Sequence, residues 1–337
     1  MEHIMGSRSA TAIAVLVALV GAATPVPSSS PVPAPSPGLA VIRDDVPWIL
    51  HAEPIRPGIS GLFLLHPDGG ETIRIAADVP DGNHKHPDWS PDGQHVVFVV
   101  QQTERMWVAH LDGTASTPIT LCDTGGCDYP AWSPDGGRIA FSRAEFTPGV
   151  EGPPSALSIQ VLDLASGEVS TVVRLERPLL VDVPRWSPDG AELVVGVDRF
   201  DEEGYETGAA IAVVPATGGD LRYLTEFERF GYYPDWNRVT REIVFSTEVI
   251  GFQRNPGPEA DTWDLHLIQP DGTGQRQLTQ VATGRRLWNP TWTPDGTRIT
   301  AAFEDASQGV WVGPVDGAIE PFPTTRLMWR PRQRPVP

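Results

Sequence analysis

The chain has 337 residues, 40% of them hydrophobic, with 33 glycines and 35 prolines. That composition suits one large all-β domain with many turns. The net charge of −18 argues against a nucleic-acid surface or an anionic-membrane surface, both of which need clustered Lys and Arg. Lys85 is the sole lysine; all other basic side chains of the Lys/Arg type are arginine.

Residues 1–23 read as an export signal. Arg8 supplies a positive start, Ala12 to Val20 an apolar run, and Gly21-Ala22-Ala23 the small residues of a cleavage site. The run is short for a membrane span, so membrane attachment is expected only if this segment is retained. Residues 24–40 are a Pro/Ser-rich linker with nothing to bury, expected to be disordered or extended. The folded domain is expected over 41–337.

Three apolar runs follow: Pro47 to Glu53, Gly61 to His66 and Thr72 to Ala77. Then comes PDWSPDGQHVVFVV from Pro87, the first full copy of a unit that returns as PAWSPDGGRIAFSR from Pro130, PRWSPDGAELVVGV from Pro184, PDWNRVTREIVFST from Pro234 and PTWTPDGTRITAAF from Pro290. Pro presets the first bend of the central turn, Asp bonds nearby amides and Gly accepts positive φ, so each copy predicts a hairpin. The flanking runs are rich in Val, Ile and Phe on both faces, as in a sheet packed on both sides. The first full copy predicts strands over His86–Ser90, His95–Gln101, Arg105–Leu111 and Ser116–Leu121, with Asp112-Gly113 as a second tight turn.

Such repeats, about 40 to 50 residues long, predict a β-propeller. The repeat tryptophans Trp89, Trp132, Trp186, Trp236 and Trp292, with Trp329 as a sixth, are expected to be structural. The three early runs lack a first strand, and the segment Arg326 to Arg330 is a first strand with nothing after it. The C-terminal strand should therefore complete the N-terminal blade, closing a ring of six four-stranded antiparallel blades without open edges. Cys122 and Cys127 bracket a Gly-Gly turn and are expected to form a local disulfide in an exported protein.

The Trp-Ser-Pro-Asp-Gly units resemble the WD-repeat-like units of the TolB-like propeller family, over about residues 45 to 330. The resemblance implies the six-bladed fold and leaves function open, because propellers host binding proteins, lyases and peptidase gating domains. The chain has no Gly-x-Ser-x-Gly elbow, which sets the peptidases aside.

Blade strands alternate in direction, so the first-to-second and third-to-fourth turns share one face and the other connections share the opposite one. Turns on the first face are all short. The second face carries long loops after Arg143, Asp198 and Thr247, the usual place for recognition. Its loops into the first strands offer His84, His86, Asp128, Tyr129, Asp182, Tyr232, Tyr233, Arg286, Trp288, Asn289 and Arg326 as ligand-binding candidates around a channel mouth. The expected function is an exported, non-catalytic, monomeric binding module, secreted or in the cell envelope, for a protein, peptide or glycan, with no cofactor. The alternative is a channel-mouth lyase or hydrolase acting on an acidic sugar or small ester, using His84, His86, Tyr233, Arg286 and Arg326. His84 and His86 are the candidate metal ligands, a weak pattern by themselves.

Overall fold

The structure, a computed structural model, describes residues 47–67, 71–101, 105–121, 126–149, 152–248, 262–281, 284–304, 308–314, 320–321 and 329–335. The export signal, the linker, Cys122 and Arg326 lie outside the described residues.

All long elements are strands. The first sheet joins β1 (Ile49–Arg56), β2 (Ile59–Leu65) and β3 (Thr72–Ile75) to the last strand, β24 (Trp329–Gln333), in the order β24-β1-β2-β3. The second holds β4 (His84–Trp89), β5 (His95–Val100), β6 (Arg105–His110) and β7 (Thr117–Leu121), close to the strands read from the sequence. The third holds β8 (Cys127–Trp132), β9 (Arg138–Glu145), β10 (Ala156–Asp163) and β11 (Val169–Glu176), and the fourth β12 (Leu179–Trp186), β13 (Glu192–Phe200), β14 (Glu206–Pro215) and β15 (Arg222–Tyr223).

The fifth sheet corrects the expected count. It has eight strands: β16 (Gly231–Trp236), β17 (Ile243–Glu248), β18 (Trp263–Ile268) and β19 (Arg276–Gln277), then β20 (Arg286–Trp292), β21 (Arg298–Glu304), β22 (Gln308–Pro314) and β23 (Glu320–Pro321). The described strands thus form five hydrogen-bonded sheets, not six. The two halves of the fifth meet through one parallel pairing, Trp263 with Arg286. Between those halves lies an apolar core of Val244, Leu265, Leu267, Leu287, Trp292 and Ile299. Similar cores fill the space between the first and second sheets, around Leu50, Leu64 and Phe98, and between the fourth and fifth, around Val194, Ile211 and Phe245. The first strands β4, β8, β12, β16, β20 and β24 touch in a closed cycle and surround the channel.

The repeat sequence explains the recurring local geometry. In the first full copy the Ser90 hydroxyl oxygen accepts from the His95 amide at 2.9 Å, and Asp92 accepts from the Gln94 amide at 2.9 Å. Gly93 sits at φ +68°, where a side chain is strained. Ser133/Asp135, Ser187/Asp189 and Thr293/Asp295 repeat the network. The divergent copy substitutes Asn237, whose side-chain oxygen accepts from Val239 and Thr240 amides.

A second feature recurs in the first strands. His86, Tyr129, Val183, Tyr233 and Asn289, each immediately before the motif proline, adopt φ between +50° and +54°. The pairing register slips at that point in all five strands. This bulge re-aims one side chain per strand, a device common at functional rims.

The C-terminal strand joins the first sheet as expected, but in a different register. Leu50 pairs with Arg332 and Ile49 with Gln333, just as Val97 pairs with Asp88 and Val96 with Trp89. Gln333 therefore takes the motif tryptophan's place. Trp329, which pairs with Ala52, occupies the position equivalent to Lys85. In that register Pro331 aligns with the other motif prolines.

Candidate functional site: the two ends of the channel

The first strands run from the loop side of the ring to the turn side, so their early residues line one end of the channel and their late residues the other.

At the loop end, β4 and β8 bring together Lys85, His86, Asp128 and Tyr129. Lys85 Nζ lies 2.8 Å from Asp128 Oδ2, and His86 Nδ1 bonds the other carboxylate oxygen. Asp128 Oδ1 also accepts the Tyr129 amide at 2.9 Å, and the His86 and Tyr129 rings stack with centroids 4.1 Å apart. Burial opposes charge on Asp128, but His86 and Lys85 outweigh it and hold the carboxyl well below the usual range.

Tyr232 and Tyr233 form a second group. Tyr232 stacks on Trp263 at 4.9 Å and donates its hydroxyl to Glu206 Oε1. Tyr233 meets Trp288 edge-on at 6.3 Å. Asn289 is buried with its side-chain oxygen unpartnered, and the Trp288 indole N–H also lacks an acceptor. Arg286 starts β20 at the junction of the two half-sheets.

His84 stands apart from His86. It is buried, with Nε2 3.1 Å from the Pro80 carbonyl and its ring against Phe98, and burial lowers its pKa despite that bond. Among the described residues no group of three His, Cys, Asp or Glu is arranged to hold a metal ion. Asp182 belongs to an acidic group with Asp198 and Glu206. Burial, then the charges of Asp182 and Glu206, push the Asp198 carboxyl well above its ordinary value. Cys127 is buried and disulfide-bonded.

The turn end, where every turn is short, drew no ligand-binding candidate from the sequence. It contains a cavity with about 640 Å³ of empty space, counting its open mouth, lined by residues from all six first strands and by turn prolines. Here the residue after each motif proline faces its counterparts. Arg332 Nη1 lies 3.0 Å from Asp88 Oδ1, and Arg332 Nη2 and Arg185 Nε lie 3.7 and 3.8 Å from Asp235 Oδ1. Asp88 and Asp235 each accept a further bond from the next strand's tryptophan amide, Trp132 at 2.8 Å and Trp292 at 2.9 Å. The sequence signal for this group was the position between Pro and Trp, which reads Asp88, Ala131, Arg185, Asp235, Thr291 and, in the register of β24, Arg332.

With the channel in view, the comparisons are informative. No family profile matches the chain. A 143-residue stretch is 29% identical to an uncharacterized protein of Agrobacterium fabrum strain C58, covering 41% of this chain and 47% of that protein, so the match spans about half of the relative. The crystal structure of TolB from Acinetobacter baumannii superposes with a TM-score of 0.63 at 16% identity, over 88% of this chain and 68% of that one. The fold is that of TolB propeller domains. This TolB-type ring is also similar to a chain of the nidogen/laminin complex (TM-score 0.61, 10% identity, 85% and 98% covered) and to an oligogalacturonate lyase solved with manganese (TM-score 0.55, 13% identity, 77% and 70% covered). Identities this low carry the fold and leave the chemistry to the residues.

Proposed function

We propose that this TolB-type propeller is an exported binding module that captures a protein or peptide segment, or a glycan, at the loop end of its channel. The observation that carries this reading is the Lys85–Asp128–His86–Tyr129 cluster, supported by the Tyr233–Trp288 contact. Stacking surfaces and paired charges on one rim suit a ligand with both polar and flat groups. The secreted or cell-envelope location and the monomeric state are part of the same proposal, resting on the N-terminal sequence and the closed ring. The eight-stranded sheet then counts as two blades, giving six. A single parallel pair joins its halves, an apolar core separates them as it separates the other sheets, and six first strands close the cycle.

The test is a photo-crosslinking amino acid at position 233, with position 239 on the turn side as control. Adducts formed in cells at 233 and not at 239 support loop-end capture; equal labelling at both rejects it.

A second reading, the channel-mouth lyase or hydrolase on an acidic sugar or small ester, is favoured by one observation. The His86–Asp128 bond is the base-and-orienter arrangement that proton transfer uses. Turnover of a uronate oligomer or aryl ester that is lost in His86→Ala would move the assignment to this reading.

A further inference from the structure

We propose that the turn end of the channel, opposite the proposed capture site, is a second binding site, specific for a carboxylate group. Some buried polar side-chain atoms there lack partners. Three such atoms belong to side chains lining the cavity: Arg332 Nε, Trp236 Nε1 and Trp292 Nε1. All three are donors. Their counterparts elsewhere in the ring are satisfied: Trp89 donates to the Arg332 carbonyl at 3.1 Å, Trp132 to Gly136 at 3.0 Å and Trp186 to Ala131 at 3.0 Å. Buried donors without acceptors cost free energy, and an acceptor that reaches them as the cavity wall adjusts recovers it.

Three of the four carboxylate oxygens already present are hydrogen-bonded. Both oxygens of Asp88 are used, one by Arg332 Nη1 and one by the Trp132 amide. One oxygen of Asp235 takes the Trp292 amide, and the other stands at 3.7 and 3.8 Å from two guanidinium groups, beyond hydrogen-bond range. That last oxygen faces two arginines, so their positive charge repels a cation there. Arg185, Arg332 and the rim residue Arg238 outnumber Asp88 and Asp235 by one charge, a local positive excess in a chain of net charge −18. Planar guanidinium and indole groups lining one cavity match a planar, two-oxygen acceptor. Tryptophan and proline walls favour a carboxylate carried on a small apolar or peptide body. Two sources share that chemistry: a small organic acid and the free C-terminus of a peptide.

The test uses the full chain with ¹⁵N-labelled tryptophan, the indole signals of Trp236 and Trp292 being assigned by Trp→Phe variants. The probes are acetate, N-acetyl-Gly-Ala as free acid and as C-terminal amide, and sodium chloride at matched ionic strength. The proposal expects saturable downfield shifts of the Trp236 and Trp292 indole protons with the free acid, absent with the amide and with chloride. Acetate binding as tightly as the dipeptide acid identifies a small-acid site. Tighter binding of the dipeptide acid identifies a peptide terminus. In Arg185→Gln, affinity for the free acid should fall roughly tenfold, the loss of one charge-assisted bond. If that variant does not fold, the wild-type titration decides alone. Equal shifts from acid, amide and chloride, or no saturable shift in these two indoles, overturn the proposal.

Discussion

Arg334 donates from Nε to the backbone oxygen of Gly93 at 2.8 Å, a bond between residues 241 positions apart. Its amide bonds the Trp48 carbonyl at 2.7 Å, and its guanidinium carbon stands 5.8 Å from the centre of the Trp89 ring. The first bond crosses from the C-terminus to the first full repeat turn, and the second ties it to the N-terminal blade. A residue that resembles part of a dispensable tail is thus 1% exposed and joins both ends of the ring. Arg334→Ala should cost about 2–3 kcal/mol, from one charge-assisted bond plus the ring contact. Gly93→Ala should also destabilise, because its backbone is at φ +68° and a Cβ would stand 2.5 Å from the Pro335 carbonyl. Removal of residues 329–337 should exceed both. Urea midpoints of the three variants check the order; a truncation no worse than Arg334→Ala would mean that β24 contributes nothing beyond one side chain.

Asp88 holds Arg332 and the Trp132 amide with separate oxygens. Asp88→Ala leaves a nearly buried guanidinium with only its longer contact to Asp235 and a buried amide without its acceptor, and should cost about 3 kcal/mol. Asp88→Leu should be no better, since it also strands the charge. The double variant Asp88→Leu plus Arg332→Leu should recover part of the loss, because removing both partners removes the unpaired charge. A double-mutant cycle with additive losses would show that the pair is not coupled.

Asp198 gives a pH dependence of definite sign. Its carboxyl is raised by burial first, then by Asp182 and Glu206. An acid with a raised folded pKa contributes its stability below the unfolded value, about 4, and loses it as pH rises through the folded value. Asp198→Asn, neutral throughout, should therefore be more stable than the wild type at pH 7, by a few degrees in Tm. The gap should shrink towards pH 4. Melting curves at pH 4, 5, 6 and 7 check this; a gap independent of pH would assign the effect to packing instead of charge.

Much of the ring was legible in the sequence because the repeat encodes its own turn. Ser-Pro-Asp-Gly specifies the hydrogen bonds of the turn, and the strands of the second sheet fall within about two residues of their expected ends. Trp329 misled because the register of β24 aligns Pro331 with the other motif prolines, and Gln333 stands where tryptophan was expected. The pairing of Trp263 with Arg286 that merges two half-sheets has no local signature, since it depends on how two strands approach in space. At the loop end, proximity in sequence suggested a His84 and His86 pair, yet the strand buries one and presents the other to Asp128. The turn end drew no candidate because its turns are all short. The pattern Asp88, Arg185, Asp235 at one motif position was the available signal, and Arg332 joins it only once the register is known.

Lys85 offers a direct check on the loop-end cluster, because it is the sole lysine in the sequence. Its side chain is 9% exposed and held at 2.8 Å by Asp128, whose other oxygen binds His86. An amine must leave its ion pair to meet an acylating reagent, so modification of Lys85 in the native protein should be slow. Asp128→Asn removes the charge that holds Lys85 and one of the two acceptor oxygens shared by Lys85 and His86, and should speed Lys85 labelling several-fold while the fold persists. Tyr129→Ala, which removes the ring stacked on His86 but leaves Asp128, should speed it less. Mass spectrometry of the peptide containing Lys85 over a time course measures both rates. The loop-end reading predicts that the same Asp128→Asn change lowers crosslinking yield at position 233. Faster labelling with an unchanged crosslink would make the cluster structural and move recognition elsewhere on the rim.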